Sequence, residues 1–436
     1  MPGVIRTEIG DHPLDWSIER VDSLFYIQQG KSVSKANRVG DNQKPFLRTK
    51  NVFWGQIDLT ELDQMHFSSA EEARLKLHAG DLLLCEGGDV GRTAIWNDQI
   101  EECYYQNHLH RLRAKDVNEV DPQFALYWFW YAFEAANIYI GRSNVTTIPN
   151  LSQSKLSELQ LPKPKFDEQR QIAHILNTVQ AAIQQQKQII TLTRELKSGL
   201  MRKLFSEGLR GEKQKNTEIG LIPEGWDCLP LDKLLTRTQY GLSIRGEDSG
   251  NCGILRMTNQ VDGKISSDKI QYVNLGKKEI NNYRLQLGDI LFNRTNSLEL
   301  VGRTAIFDIE GEFVFASYLI RLNTDKRRLN PFFLNHFLNW DESQRRLKSI
   351  ALRAVSQSNI SATRLRTFNV PVPSLEEQAE IVSAIDVSSN KINVHQKKKL
   401  LLEEFFSTLL HQLMTGEIRV NKINVPEILP REKAYE

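Results

Sequence analysis

Two four-residue clusters, Arg48-Thr49-Lys50-Asn51 and Arg256-Met257-Thr258-Asn259, each set a cation close to an amide, at matching places in the two halves of the chain. Arg and Lys hold phosphate groups, while Asn, Gln, Ser and Thr can read the edges of bases. A third cluster, Asn293-Arg294-Thr295-Asn296, has the same character. From Ser343 to Phe368 the chain carries Arg345, Arg346, Lys348, Arg353, Arg364 and Arg366 with no acid, alongside Gln357 and Asn359. In the first half, the run from Arg142 through Asn144, Thr146 and Thr147 to Lys155 is likewise free of acids. Arg92 and Arg303 close two copies of a Val-Gly-Arg motif. Each cluster alone fits a solvated loop equally well. Their recurrence in both halves, with different exact residues, favours two readers of DNA built on one scaffold.

Catalytic chemistry finds no such support. There is no G-x-x-x-x-G-K-[ST] phosphate loop and no Asn/Asp-Pro-Pro-Tyr/Phe tetrapeptide of the kind that holds a flipped base. Gly87-Gly88-Asp89-Val90-Gly91 is a weak glycine cluster, and its counterpart at 296–302 loses the glycines. His108 and His110 could present two metal ligands on one strand face, but Tyr318 and Ile320 stand at the matching places, so structural roles are expected and no metal site. Asp81 and Asp289, each after a glycine, read as turn residues. The four cysteines are far apart, which argues against a disulfide framework or zinc and suits a reducing cytoplasm.

These residues are positioned by a chain written twice. Thr7-Glu8-Ile9-Gly10 returns as Thr217-Glu218-Ile219-Gly220, an offset of 210 (217 − 7), and Trp16 returns as Trp226. Gly80-Asp81-Leu82-Leu83-Leu84 matches Gly288-Asp289-Ile290-Leu291-Phe292. Val90-Gly91-Arg92-Thr93-Ala94-Ile95 matches Val301-Gly302-Arg303-Thr304-Ala305-Ile306. So long a period means two whole domains rather than a solenoid, and 436 residues with 40% apolar and 25% charged content suit them. Net charge is only +2, so basic patches must be local. The opening Met1 to Arg6 has no apolar region of a signal peptide, and no window is apolar enough to span a bilayer, so a cytoplasmic protein without membrane contact is expected.

Within each repeat, short β-like runs are punctuated by Gly55 or Gly263. A helix is expected to start at Asp121-Pro122 and at Asn330-Pro331, with Asp or Asn as cap and Pro at the first helical position. The aromatic body of the first, Tyr127-Trp128-Phe129-Trp130, reads as a buried face rather than a base-stacking platform. Pro162 and Pro164, like Pro371 and Pro373, then hold an extended connection into a long helix. Heptad spacing sets out one seam at Ile172, Leu176, Val179, Ile183, Ile190, Leu200 and Leu204. A second lies at Ile381, Ile385, Ile392, Leu402, Phe406, Leu409 and Leu413. Two equal seams in one chain predict an antiparallel pair, with Gln186 set against Lys399 and Lys197 against Ser388. The other arrangement has each helix packed only on its own domain. A helix of this length is roughly 58 Å at 1.5 Å per residue, about one and a half turns of B-DNA. The fold expected is α+β: a tandem duplication of a recognition domain, each followed by a long helix. The limits are 1–165 and 211–373 for the domains, 166–210 and 374–416 for the helices, and 417–436 for a tail.

The ordered set of motifs resembles the specificity (S) subunit of Type I restriction–modification enzymes. It comprises the opening at Pro13 to Trp16 or Pro223 to Trp226, the Leu-Arg-x-x-Asn strand at Leu47 to Asn51 or Leu255 to Asn259, Gly-Asp-Leu/Ile-Leu and Val-Gly-Arg. It ends in Pro-x-Pro followed by Glu168-Gln169 or Glu377-Gln378 and the long helix. The resemblance implies two target-recognition domains that read the halves of a bipartite, asymmetric double-stranded DNA sequence. It implies helices that set the spacer and dock two methyltransferase (M) subunits, with restriction (R) subunits as further partners. The chain itself would be no enzyme and hold no cofactor. S-adenosylmethionine would sit in the methyltransferase, which flips the adenine, and ATP and Mg in the restriction subunit. Other readings are a fused DNA enzyme, a stand-alone DNA-binding protein, and a specificity chain whose partner both cuts and methylates.

Overall fold

The computed structural model describes residues 3–139, 150–353 and 357–420. The first copy is built on β1 (Phe25–Gln29), β2 (Leu82–Cys85), β3 (Thr93–Ile95) and β4 (Leu109–Ala114), antiparallel in the order β3-β2-β4-β1. The second copy repeats it with β5 (Leu235–Tyr240), β6 (Ile290–Asn293), β7 (Thr304–Ile306) and β8 (Leu319–Thr324), in the order β5-β8-β6-β7. In that copy the hairpin of Gln260–Val261 and Lys264–Ile265 extends the sheet beyond β7. The central strands β2 and β6 are buried along their whole length, as continuous apolar runs between covered faces must be.

Local rules account for the turns. Gly55, Gly263, Gly80 and Gly288 all have positive φ, between 68° and 90°, where a Cβ would be strained. The aspartates after the last two are indeed turn residues. Asp81 accepts from the His78 N–H and Asp289 from the Gln286 N–H, each at 2.9 Å. Each also ties its turn to the neighbouring strand, through Arg113 in the first copy and Arg321 in the second.

The helices α1 (Pro122–Trp130), α2 (Phe166–Glu207), α3 (Pro331–Asn339) and α4 (Leu375–Met414) follow the expected order. Asp121 caps α1 by accepting from the Phe124 N–H at 2.8 Å, and Asn330 caps α3 through Phe332 at 2.9 Å. Phe124, Tyr127, Trp128 and Phe129 are buried, so the aromatic run is a core face. The Pro-spaced stretches become strands, Gln160–Lys163 against Ser17–Arg20 and Asn369–Val372 against Asp227–Pro230.

The Glu-Gln pair that opens each long helix has a physical purpose. Gln169 is fully buried; its Oε1 accepts from the Asp121 N–H at 2.9 Å, and its Nε2 donates to the Glu119 and Pro164 carbonyls at 3.1 and 2.9 Å. Gln378 repeats this with Asn330, Arg328 and Pro373. One amide thus joins the cap of the aromatic helix, the loop before it and the end of the last strand. The preceding glutamates accept from the indoles, Glu168 from Trp16 at 3.2 Å and Glu377 from Trp226 at 2.9 Å.

The long helices pair antiparallel, and the compact units do not coincide with the repeats. One unit comprises residues 1–186 and 398–436, the other 187–397. In the first, Ile172, Leu176, Val179 and Ile183 of α2 share a core with Phe406, Leu409 and Leu413 of α4 and with the aromatic face of α1. In the second, Leu204 and Phe205 of α2 join Ile381 and Ile385 of α4 around α3, with Leu200 against them. Each helix half therefore packs on a domain and on a half of the other helix. Ile190 and Ile392 are buried as well, and Leu402 packs partly buried on the first core. Met201, Phe205, Leu410 and Met414 are core residues that lie off the predicted heptad. Lys399 turns along its own helix to Glu403 at 3.1 Å.

Candidate functional site

In the second copy, three of the polar clusters meet. Thr295–Asn296 pairs with Ser358–Asn359, which pairs in turn with Leu352–Arg353, in a small antiparallel sheet beyond the end of β6. The Asn359 Nδ2 donates to Thr295 Oγ1 at 2.7 Å, and the Asn296 Nδ2 approaches the Met257 sulfur at 3.1 Å. That contact brings in the turn of Arg256 to Asn259. Thr258, Arg303, Arg353 and Gln357 are exposed around this sheet. Arg294 lies beside it with its guanidinium 4.8 Å from the Tyr240 ring, a cation–π distance.

In the first copy, Arg92 joins the matching segments. It donates to the Thr49 carbonyl at 2.9 Å, pairs with Asp89 at 2.7 Å and lies 5.1 Å from the Phe53 ring. Arg48 pairs with Asp63 at 2.8 Å and Lys50 with Glu61 at 3.3 Å, both at the surface. Arg142, Asn144, Thr146 and Thr147 lie outside the described residues.

Several sequence-predicted contacts are corrected. Asn51 and Asn259 cannot reach a base, because both are buried and spent on their own turns. Asn51 Oδ1 accepts from the Arg48 N–H at 2.9 Å, and its Nδ2 donates to the Asp58 and Glu61 carbonyls. Asn259 does the same with Arg256, Ser266 and Asp268. Asn293 is a buried residue of β6, beneath the polar sheet rather than on it. Arg346 is half-buried, 4.4 Å from the Phe368 ring, and donates to the Asn369 carbonyl at 3.2 Å, so it packs the domain rather than holding phosphate. Burial lowers its pKa from the ordinary value. Arg345 is exposed beside Glu342 at 2.5 Å, on a helix outside the polar sheet. His110 is buried with Nε2 2.8 Å from the Leu151 carbonyl, a structural role, and His108 is largely exposed. Among the described residues no cluster of three His, Cys, Asp or Glu could hold a metal, and no helix is long and apolar enough to cross a membrane.

One corner differs between the copies. In the first, Trp54 stacks on Trp130 at 5.6 Å, and Trp130 meets Phe406 at 5.1 Å. In the second, the matching places hold Asp262, Asn339 and Lys197, and a cleft of about 680 Å³ opens among them. His336 and Asp386, 3.0 Å apart, take the places of Tyr127 and Asn177. Burial pushes the Lys197 ammonium below its ordinary range, offset in part by Asp262 and Asp386.

The sequence motifs single out Arg294 and set His108 against Tyr318, but leave Gln29, Glu86 and Tyr240 unmarked. Gln29, Glu86 and His108 in the first copy occupy the places of Tyr240, Arg294 and Tyr318 in the second. The signal was available: His108 and Tyr318 already align, and Glu86 follows the motif strand as Arg294 does.

Comparison with known proteins agrees with this architecture. Residues 13–194 and 242–404 match the Type I restriction modification DNA specificity domain. The putative type I restriction enzyme MjaX specificity subunit of Methanocaldococcus jannaschii is 25% identical over 438 residues, covering 95% of this chain and 96% of its own. The type I restriction enzyme EcoKI specificity subunit of Escherichia coli (strain K12) is 24% identical over 398 residues, covering 86% and 82%. The solved S subunit of a Type I restriction-modification system from M. genitalium superposes with a TM-score of 0.58 at 16% identity, covering 91% of this chain and 96% of its own. A chain from a structure of type I R-M complex assembly and conformational transition gives 0.56 at 15%, covering 93% and 99%. With two matched domains that span most of its length, this chain belongs to the Type I restriction–modification DNA specificity family, whose members are specificity subunits and leave catalysis to partner subunits.

Proposed function

We propose that the two copies read the two halves of a bipartite, asymmetric double-stranded DNA target, and that the paired helices set the gap and dock two methyltransferase subunits. The observation that carries this reading is the convergence of Met257, Thr295, Asn296, Arg353 and Asn359 on one polar sheet beyond β6. Residues 102 positions apart (359 − 257) meet there, with exposed cations around them. The turns at 48–51 and 256–259 share one backbone form yet carry different side chains, which suits readers of different half-sites. The contacts we assign to DNA are Arg48, Lys50, Arg92, Thr258, Arg294, Arg303, Arg353, Gln357 and Asn359.

For docking, the long helices keep apolar side chains in solvent: Leu192 and Leu196 on α2, and Leu400, Leu401 and Phe405 on α4. Apolar residues at such spacing fit a protein partner. S-adenosylmethionine in the methyltransferase, and ATP with Mg in a restriction subunit, would supply the chemistry in the cytoplasm. The test replaces residues 217–372 with another recognition domain and maps methylated adenines in the host. One half-site changes and the other is kept; a change in both halves overturns the modular reading. Lengthening both helices widens the gap without altering either half, and an unchanged gap overturns the spacer role.

A further inference from the structure

The two copies place opposite charge at one equivalent position. The Glu86 N–H donates to the His108 carbonyl at 2.9 Å, and the Arg294 N–H donates to the Tyr318 carbonyl at 3.0 Å. The Glu86 carbonyl accepts from Leu151 at 2.9 Å, and that of Arg294 from Ile360 at 2.8 Å. Gln29 and Tyr240 each precede a glycine whose N–H bonds the first residue of β4 or β8, Leu109 or Leu319, at 3.2 Å. The backbone is therefore the same, and the side chains are a Gln-Glu-His set in one copy and a Tyr-Arg-Tyr set in the other.

Neither charge is required by the fold, because each copy folds with the other's opposite at that place. Among the described residues neither meets a Lys, Arg, Asp or Glu of opposite sign within ion-pair distance. The Glu86 side chain is 9% exposed, and its Oε2 accepts from Gln29 at 3.1 Å, with His108 Nδ1 at 3.9 Å. Arg294 donates to the Ser317 carbonyl at 3.3 Å, while among the described residues its buried Nε has no partner, and neither has the buried Oδ1 of Asn293. Under-satisfied buried polar groups cost stability and persist where a ligand completes them. The rims are open: the His108 side chain is 57% exposed, and the residues Tyr240 and Tyr318 are 42% and 47% exposed.

We infer that this position reads a base pair in each half-site, with opposite hydrogen-bond polarity. The inference rests on the DNA reading proposed above. Arg294 donates its fork to the O6 and N7 of a guanine, the commonest specific contact in the major groove. Glu86 can only accept, so it takes an exocyclic amino group, the N4 of cytosine or the N6 of adenine. Tyr240 holds the guanidinium plane and Gln29 orients the carboxylate. A carboxylate repels phosphate, so Glu86 specifies rather than anchors.

The test uses the full chain with the methyltransferase of its own host. Methylated adenines are mapped for wild type, Glu86→Gln, Arg294→Gln and Arg294→Lys. Glu86→Gln lowers discrimination at one base of the first half by roughly 10- to 100-fold and leaves the second half intact. Arg294→Gln does so in the second half, admitting adenine where guanine was required. Arg294→Lys keeps the charge but loses the fork, so discrimination falls there too. A second measurement avoids any folding defect: wild-type complex is titrated with duplexes carrying 7-deazaguanine at each guanine in turn. One substitution in the second half weakens binding about tenfold or more, and the Arg294→Gln complex is insensitive to it. Variants that lose methylation evenly, with discrimination unchanged at every base, overturn the inference while a split wild-type motif leaves the bipartite reading standing. A wild-type map without a split motif overturns both.

Discussion

Replacing Gln378 by alanine should loosen the second unit at the junction of α3 and α4. The side chain is fully buried and makes three hydrogen bonds of 2.7 to 3.0 Å to backbone groups of Asn330, Arg328 and Pro373. Each orphaned buried backbone group costs about 1–3 kcal/mol. Water entering the vacated space recovers part of this, leaving a loss of about 4 kcal/mol, a large share of a domain's usual 5–15 kcal/mol. At about 1.4 kcal/mol per tenfold, exchange of the α3 amides should quicken by roughly three decades. Native-state hydrogen exchange of the full chain is the appropriate assay, since two units preclude a single unfolding free energy. The Leu334 amide, bonded to the Asn330 carbonyl at 3.1 Å, is the reporter. Gln378→Met keeps the volume but none of the bonds and should be nearly as damaging. Less than tenfold acceleration at Leu334, or protection restored by methionine, would refute the hydrogen-bond argument.

Gln169→Ala should repeat the effect in the first unit, read at the Ala125 amide, which bonds the Asp121 carbonyl. Glu377 is held above the usual carboxylate range by burial, opposed by the Trp226 indole N–H. Its folded pKa exceeds its unfolded one, so its ionisation reduces stability as pH rises from 4.5 through the folded value. Glu377→Gln should therefore raise the melting temperature at neutral pH, with the gain vanishing in acid; a lower melting temperature at pH 7 would contradict this. Lys197 has the opposite sign for a base. Its folded pKa is depressed, so stability should rise as pH climbs through that value toward 10.5, and Lys197→Met should abolish this slope in alkaline melts. Arg419 bonds Asp15 at 2.8 and 2.9 Å and Glu168 at 2.6 and 2.8 Å. Its loss in Arg419→Ala should cost roughly 1–3 kcal/mol, seen as faster exchange at Trp16, whose N–H bonds the Pro13 carbonyl; unchanged exchange there would show the latch to be idle.

Short-range rules govern the features that residue order alone makes readable. The repeat, the turns at Gly80 and Gly288, the caps at Asp121 and Asn330 and the apolar seams were legible because φ, capping and face depend on neighbours within a few residues. Which polar side chain is free was not legible. Asn51 and Asn259 have a reader's chemistry, yet their amides serve carbonyls up to ten residues away. Arg346 belongs to a basic run but lies over Phe368. Gln169 and Gln378 look like helix-surface residues and instead join three segments each, both bridging 50 positions. The tertiary structure alone also brought Met257, Asn296 and Asn359 together, and set Glu86 and Arg294 on one backbone position. The physical reason is that a buried hydrogen bond depends on which distant backbone groups the packed core leaves unpaired, and no local spacing records that.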